Sequence, residues 1–227
     1  MKKRLCIAIL GLVTNAAYFQ VTNAADSANL SAELAAGKQK ADQICANCHG
    51  LYGRAASGGN SAFSPKLTPQ SKDYLDARLN AYRSGAIQHP QMSLIAQMIS
   101  EQDIENVSAW YASIPVTITG STANQEAGVE ANDGSTAKAA AGKAIASQIC
   151  SNCHGLDGQA VASGSSSIVP SLTAQQKEYM ILRLREYRSG KIADPLMSPI
   201  AKALSDQDIE NVAAWYSGIE IKVVKTD

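Results

Sequence analysis

Two pentapeptides in this chain combine two cysteines and a histidine at a fixed spacing. They are Cys45-Ala46-Asn47-Cys48-His49 and Cys150-Ser151-Asn152-Cys153-His154. Cysteines three positions apart lie on the same side of a helical turn, so both thiols can reach the two vinyl groups of one porphyrin. The histidine that follows can bind the iron from the proximal side. C-x-x-C-H is the attachment signature of a c-type haem. The sequence therefore predicts two covalently bound haem c groups, each with its iron.

A C-x-x-C pair taken by itself is compatible with other chemistry. It can form half of a zinc site, a redox-active dithiol or a structural disulfide. A four-ligand zinc site would need both copies, and it would leave the similarity of the surrounding sequences unexplained. A thioredoxin-like dithiol needs a βαβ context, and no strand pattern surrounds either copy. The context therefore favours haem attachment over these alternatives.

The similarity between the two halves extends far beyond the pentapeptides. Cys150 follows Cys45 by 105 residues, and the same offset holds without insertion over 37–114. The segments that recur at this offset include Pro65-x-Leu67-Thr68, Tyr82-Arg83-Ser84-Gly85, Pro90-x-Met92-Ser93 and Ala109-Trp110-Tyr111. We therefore predict a tandem duplication, with an N-terminal domain at 26–115 and a C-terminal domain at 136–227. The segment 116–135 is rich in small and polar residues, which is typical of a solvated linker.

Residues 1–25 have the composition of an export signal. A positive end at 2–4 precedes a short apolar run at 5–17, and small residues suit cleavage near Ala24 or Ala25. The apolar run is too short to span a bilayer comfortably, so a cleaved signal is preferred to a retained anchor. The predicted location is the periplasm, and a loose attachment to the inner membrane stays open.

Each half has the periodicity of helices, without the sustained alternation that is typical of strands. A helix-forming stretch at 32–44 leads into the first pentapeptide, and a second helix is predicted over 72–84, ending at a glycine. Ser100 and Ser205 are predicted to cap the last helix of each half. The predicted fold class is all-α.

The second axial ligand of each iron decides between an electron carrier and an enzyme, because an open position would bind and activate small molecules. The chain has three histidines, and two of them follow the cysteines. His89 has Asp194 as its counterpart in the other half, so it does not repeat and we interpret it as a loop residue. Met92 and Met197 do repeat, each two residues after a proline. A thioether is a suitable ligand for haem iron, so we predict that these two methionines complete the coordination.

Together these segments resemble those of class I dihaem cytochromes c, of the c₄ type found in the bacterial periplasm. The resemblance covers the whole chain after the signal, and it implies two tandem domains, each wrapped around one covalent haem. The implied cofactor-binding residues are Cys45, Cys48, His49 and Pro65, with Cys150, Cys153, His154 and Pro170. The implied iron ligands are His49, Met92, His154 and Met197. The two prolines would each offer a carbonyl to a proximal imidazole, which fixes the orientation of the ring.

The resemblance also implies roles for residues farther from the iron. Gly37 and Gly142 would let the first helix of each domain cross close to the last helix. The aromatic residues of that last helix would pack in the core; they are Trp110, Tyr111, Trp215 and Tyr216. The Tyr-Arg-Ser-Gly segments would either meet haem propionates or form solvated turns; their side chains are Tyr82, Arg83, Tyr187 and Arg188.

Three functions are compatible with two such haem sites. The leading hypothesis is a one-electron carrier between redox proteins, such as a quinol-oxidising complex or a small periplasmic carrier and a terminal oxidase. The alternatives are a cytochrome subunit of a larger redox enzyme, and a dihaem peroxidase, against which both methionines argue. The chain has 20 basic and 20 acidic residues, and this balance argues against nucleic acid as a partner. We predict no enzymatic activity, and a small-molecule substrate is not expected.

Overall fold

The chain folds into two successive sets of helices in the same order. The computed structural model describes residues 16–55, 63–121, 134–160 and 168–224, with side chains from residue 27 onward. The helices of the first set are α1 Ala16–Lys40, α2 Ala46–His49, α3 Lys72–Ser84, α4 Met92–Met98 and α5 Glu101–Ser113. Those of the second set are α6 Ser135–Ile145, α7 Ser151–His154, α8 Lys177–Ser189, α9 Met197–Ala203 and α10 Asp206–Ser217. The predicted helical fold class is confirmed, whereas the whole of the predicted signal at 1–25 lies outside the residues whose side chains are described.

The first and last helices of each set cross in close contact at a glycine. Gly37 of α1 lies against the backbone of α5, where a Cβ atom would come within 2.0 Å of the Asn106 carbonyl oxygen. Gly142 of α6 lies in the same way against α10, with 1.9 Å to the Asn211 carbonyl oxygen. The predicted crossing is therefore confirmed in both copies.

Local sequence signals set the ends of the helices. Ser100 and Ser205 each accept a hydrogen bond from the N–H three residues on, and the aspartate at that position accepts one from the serine N–H. These reciprocal bonds form a capping box at the start of α5 and of α10, as predicted. Gly85 and Gly190 end α3 and α8 in the left-handed conformation that glycine adopts without a Cβ penalty.

A two-stranded antiparallel sheet joins the two halves and departs from the all-helical expectation. Strand β1 Val116–Ser121 pairs with strand β2 Ile219–Val223. The start of the predicted linker is therefore a strand, and 122–133 of it lies outside the described residues. Ile118 of β1 packs against the core of the second half, and Val223 of β2 packs against the core of the first. Each half thus contributes apolar surface to the core of the other.

Side chains of the two halves also meet beside the helices. The side chain of Arg78 on α3 hydrogen-bonds Tyr187 on α8. The side-chain amides of Gln70 and Gln175 each bond the backbone of the opposite half. Among the described residues, no helix is both long enough and apolar enough to cross a membrane.

Candidate haem sites

Each pentapeptide lies at the end of the first helix of its half. A π-helical turn at Ala41–Cys45 continues into α2, and a second π-helical turn at Ala146–Cys150 continues into α7. Gly50 and Gly155 follow the histidines with φ of 73° and turn the chain away. The first cysteine of each motif is half-buried and the second is exposed. The four cysteines of the two pentapeptides are free thiols, so neither pair forms a disulfide.

Burial favours the protonated form of the first thiol in each pentapeptide. It raises the pKa of Cys45 and of Cys150 to about 11. Zinc and disulfide exchange both require the thiolate, whereas a thioether forms when an S–H adds across a vinyl group. Across the described ranges, no group of three or more His, Cys, Asp and Glu side chains is arranged to hold a metal ion. The raised pKa of the first thiol in each pair disfavours a reactive dithiol.

The two pentapeptide histidines are fixed in one tautomer. Nδ1 of His49 lies 2.8 Å from the carbonyl oxygen of Pro65, and Nδ1 of His154 lies 2.9 Å from that of Pro170. A carbonyl oxygen can only accept, so Nδ1 carries the hydrogen and the lone pair is on Nε2. Both rings are 7% exposed, and this burial lowers the pKa of each imidazole. A neutral ring with a free Nε2 lone pair is the form that binds haem iron.

Aromatic residues of the last helix hold the loop that follows each histidine. The indole N–H of Trp110 donates to the Leu51 carbonyl, and the Tyr111 hydroxyl donates to that of Gly50. Trp215 and Tyr216 make the same bonds in the second half. These rings are buried, so the predicted core role is confirmed, and their polar atoms also anchor the haem-binding turn.

Met92 and Met197 are the first residues of α4 and α9, and both are half-buried. Nδ1 of His89 accepts from the N–H of Met92 at 3.2 Å, and Oδ1 of Asp194 accepts from the N–H of Met197 at 2.7 Å. His89 and Asp194 therefore have the same role, which is to accept a hydrogen bond from the first N–H of α4 and of α9, respectively. Sequence comparison of the halves missed this role, because a neutral imidazole and a carboxylate are chemically interchangeable only as acceptors. The iron-binding role of the methionines stays a prediction.

The arginines of the Tyr-Arg-Ser-Gly segments have partners in their own halves. Arg83 donates to the carbonyl oxygens of Ala96 and Ile99, and Arg188 donates to that of Leu204. These bonds tie α3 to the end of α4 and α8 to the end of α9, and a contact of either arginine with a haem propionate stays a prediction. Two other arginines lie near the boundary between the halves. The guanidinium of Arg78 lies over the ring of Tyr74, and that of Arg183 lies over the ring of Tyr179.

Two stretches of the chain match the family profile described as cytochrome c, at residues 34–114 and 139–218. Each stretch contains one pentapeptide, one Pro-x-Leu-Thr segment and one Pro-x-Met-Ser segment. The profile thus recognises the duplicated unit that the offset of 105 residues defines.

Curated relatives match over most of the chain. The thiosulfate dehydrogenase electron acceptor of Stutzerimonas stutzeri (strain A1501) is 30% identical over 190 residues, which cover 81% of this chain and 82% of the relative. Cytochrome c4 of Pseudomonas aeruginosa is 26% identical over 198 residues, covering 85% and 91%. The crystal structure of reduced recombinant cytochrome c4 from Pseudomonas stutzeri superposes with a TM-score of 0.65 at 23% identity, covering 82% of this chain and 97% of that one.

Proposed function

We propose that this chain, which belongs to the cytochrome c family as a dihaem member of the c₄ type, carries single electrons between redox proteins and catalyses no reaction of its own. Two covalently bound haem c groups supply the redox chemistry. The protein residues hold each group in place, fix its axial ligands and limit the access of water. The donor and acceptor that fit this role are a quinol-oxidising complex or a small periplasmic carrier on one side and a terminal oxidase on the other.

The duplicated, buried histidine with its Nδ1–H bonded to a proline carbonyl is the observation that carries this proposal. In each half it leaves Nε2 of His49 or His154 as the donor atom toward iron. The adjoining thiols would form the thioether bonds, from Cys45 and Cys48 in the first half and from Cys150 and Cys153 in the second. Met92 and Met197 would supply the remaining protein ligand to each iron, so that neither iron would be open to a small molecule.

A second candidate is a cytochrome that accepts electrons from one dedicated dehydrogenase. A relative that covers most of this chain is named as the electron acceptor of thiosulfate dehydrogenase, which favours this version of the carrier. The two versions differ in partner and share the same haem chemistry. Co-purification of a second polypeptide in fixed ratio with the chain, expressed in its own host, would favour the dedicated acceptor.

Replacing one methionine at a time tests the six-coordinate carrier. Met92→Ala and Met197→Ala should each abolish the far-red iron–methionine absorption of one haem, lower the potential of that haem only, and open its ferrous form to carbon monoxide. Met98→Ala is the matched control, because Met98 is 75% exposed and has no methionine counterpart in the second half. Carbon monoxide binding to the unaltered ferrous protein, or loss of the band in neither variant, would contradict the proposal.

Export to the periplasm is the location that fits this function. Haem attachment to C-x-x-C-H accords with the predicted signal at 1–25, and the two inferences use separate residues. The N-terminal residue of the purified protein tests it. A start near Asp26 is expected, and a chain that begins at Met1 would contradict cleavage.

A further inference from the structure

Two proline carbonyls accept hydrogen bonds from the pentapeptide histidines. The peptide group that contains each of these carbonyls also donates a hydrogen bond through its N–H. The carbonyl oxygen of Pro65 accepts from His49, and the N–H of the same peptide group belongs to Lys66. That N–H donates to Oε1 of Gln175, at 2.7 Å. The amide of Gln175 lies in the second half of the chain, so the bonds His49–Pro65–Lys66–Gln175 pass from one domain into the other.

The second half repeats this arrangement in the opposite direction. The Pro170 carbonyl accepts from His154, and the N–H of that peptide group belongs to Ser171. It donates to Oε1 of Gln70 at 2.9 Å. Gln70 and Gln175 occupy corresponding positions in the repeat, 105 residues apart. The two bonded series therefore cross between the domains with approximate two-fold symmetry.

Both glutamines are held in one orientation. Nε2 of Gln175 donates to the carbonyl of Lys66 at 2.9 Å, and Nε2 of Gln70 donates to that of Ser171 at 2.7 Å. Each amide thus bonds both the N–H and the C=O of one residue, and the glutamines are 4% and 6% exposed. A buried amide with both groups paired is rigid and costly to disrupt.

We propose that each glutamine is a positioning residue for the haem of the other domain and sets part of that haem's reduction potential. This inference rests on the proposed axial role of His49 and His154. A peptide group whose N–H donates is a stronger acceptor at its C=O, by about 10–30% per bond in hydrogen-bonded chains. A stronger acceptor at Nδ1–H makes the imidazole a better electron donor to iron, which favours the ferric state. Loss of the glutamine should therefore raise the potential.

The test exchanges one amide for a side chain of similar length without hydrogen-bonding groups. Gln175→Met should raise the potential of the haem bound by His49, and Gln70→Met that of the haem bound by His154. Gln102→Met and Gln207→Met are matched controls, because these exposed glutamines bond only within α5 and α10. The haem-bearing, full-length protein is titrated, and NMR of the diamagnetic ferrous state follows the Nδ1–H proton of each proximal histidine.

The test depends on which domain shows a change in its NMR resonances and amide exchange. In Gln175→Met, the Nδ1–H resonance of His49 should shift upfield and the Lys66 amide should exchange faster with solvent, while His154 and Ser171 keep their values. Gln70→Met should give the converse. A shift confined to the substituted domain, equal shifts in both domains, or no shift in either would overturn the proposal. Exchange of the Lys66 and Ser171 amides does not require a methionine on either iron, so this readout distinguishes failure of the inference from failure of the methionine test of the carrier function.

Discussion

Gly37→Ala should destabilise the first domain, although alanine is the better helix former. Gly37 lies where α1 crosses α5, and it faces backbone atoms. An added Cβ would lie 2.0 Å from the Asn106 carbonyl oxygen and 2.9 Å from Cβ of Trp110, whereas ordinary contact begins at 3.4 Å. The two helices would have to separate by roughly 1.4 Å. The carbonyl of a helical residue cannot yield as the tip of a flexible side chain can.

The net effect follows from two opposing contributions. Replacing glycine by alanine inside a helix stabilises by about 1 kcal/mol. Overpacking costs about 1–3 kcal/mol, and the rigid backbone at this crossing places it at the upper end of that range. We therefore expect the free energy of unfolding to fall by about 2 kcal/mol. In thermal unfolding this corresponds to a midpoint temperature lower by roughly 10 °C for a domain of this size.

Urea unfolding and hydrogen-exchange mass spectrometry measure this loss for each domain separately. Gly142→Ala should lower the free energy of unfolding of the second domain by a similar amount. Ala35→Gly is the control, because Ala35 is an exposed residue of α1 and should lose only the helix propensity, about 1 kcal/mol. An unchanged or higher midpoint for Gly37→Ala would refute the inference that backbone contact at the crossing requires a glycine.

Further predictions concern the cap of α10 and the paired strands. Ser205→Ala should cost the second domain about 1 kcal/mol in urea unfolding, because it removes an N-cap. Hydrogen bonds from the Ser205 hydroxyl and N–H lower the pKa of Asp208 below its usual value. A carboxyl with a depressed pKa stabilises the fold above its unfolded pKa, so this contribution should be lost as the pH falls below 3.8 toward the folded value, and Asp208→Asn should flatten the stability profile there. Ile118→Ala should lower the stability of the second domain, and Val223→Ala that of the first, each by roughly 1–2 kcal/mol, since these side chains are half-buried in the opposite core. Hydrogen exchange resolved by domain distinguishes this crossed result from a loss within the substituted domain.

Much of this structure could be predicted from local sequence, because local rules govern the features concerned. The spacing of C-x-x-C-H, the capping boxes at Ser100 and Ser205 and the glycine ends of α3 and α8 each depend on residues within one or two helical turns. The constant offset between the two copies also identified corresponding residues, such as Gly37 and Gly142. These signals led to the helical fold and the haem-binding histidines, and the family profile agrees with them.

Features that depend on contacts between the halves could not be predicted in this way. Strand β1 is six residues long and its partner lies about a hundred residues later, so neither length nor alternation distinguishes it from a linker. Gln70 and Gln175 bond backbone atoms of the other domain. Every residue has the same backbone groups, so the residue types do not show which backbone atoms a glutamine will bond. Their repetition at the common offset was the available signal. The bonds from Arg83 to the Ala96 and Ile99 carbonyls could not be predicted, because the sequence does not show which carbonyls a guanidinium reaches.

The paired strands also determine what the connection between the copies has to do. Val116 faces Val223, Thr117 faces Lys222 and Ile118 faces Ile221, so equivalent segments meet in an order that reads the same from either side, as in an isologous homodimer. Two separate protomers could associate through such a surface, and residues 122–133 then only raise their effective concentration. A protease site placed within that stretch should therefore yield, after cleavage, two haem-bearing fragments that elute together in gel filtration. Fragments that elute apart would show that the covalent tether, rather than the matched surface, holds the copies in register.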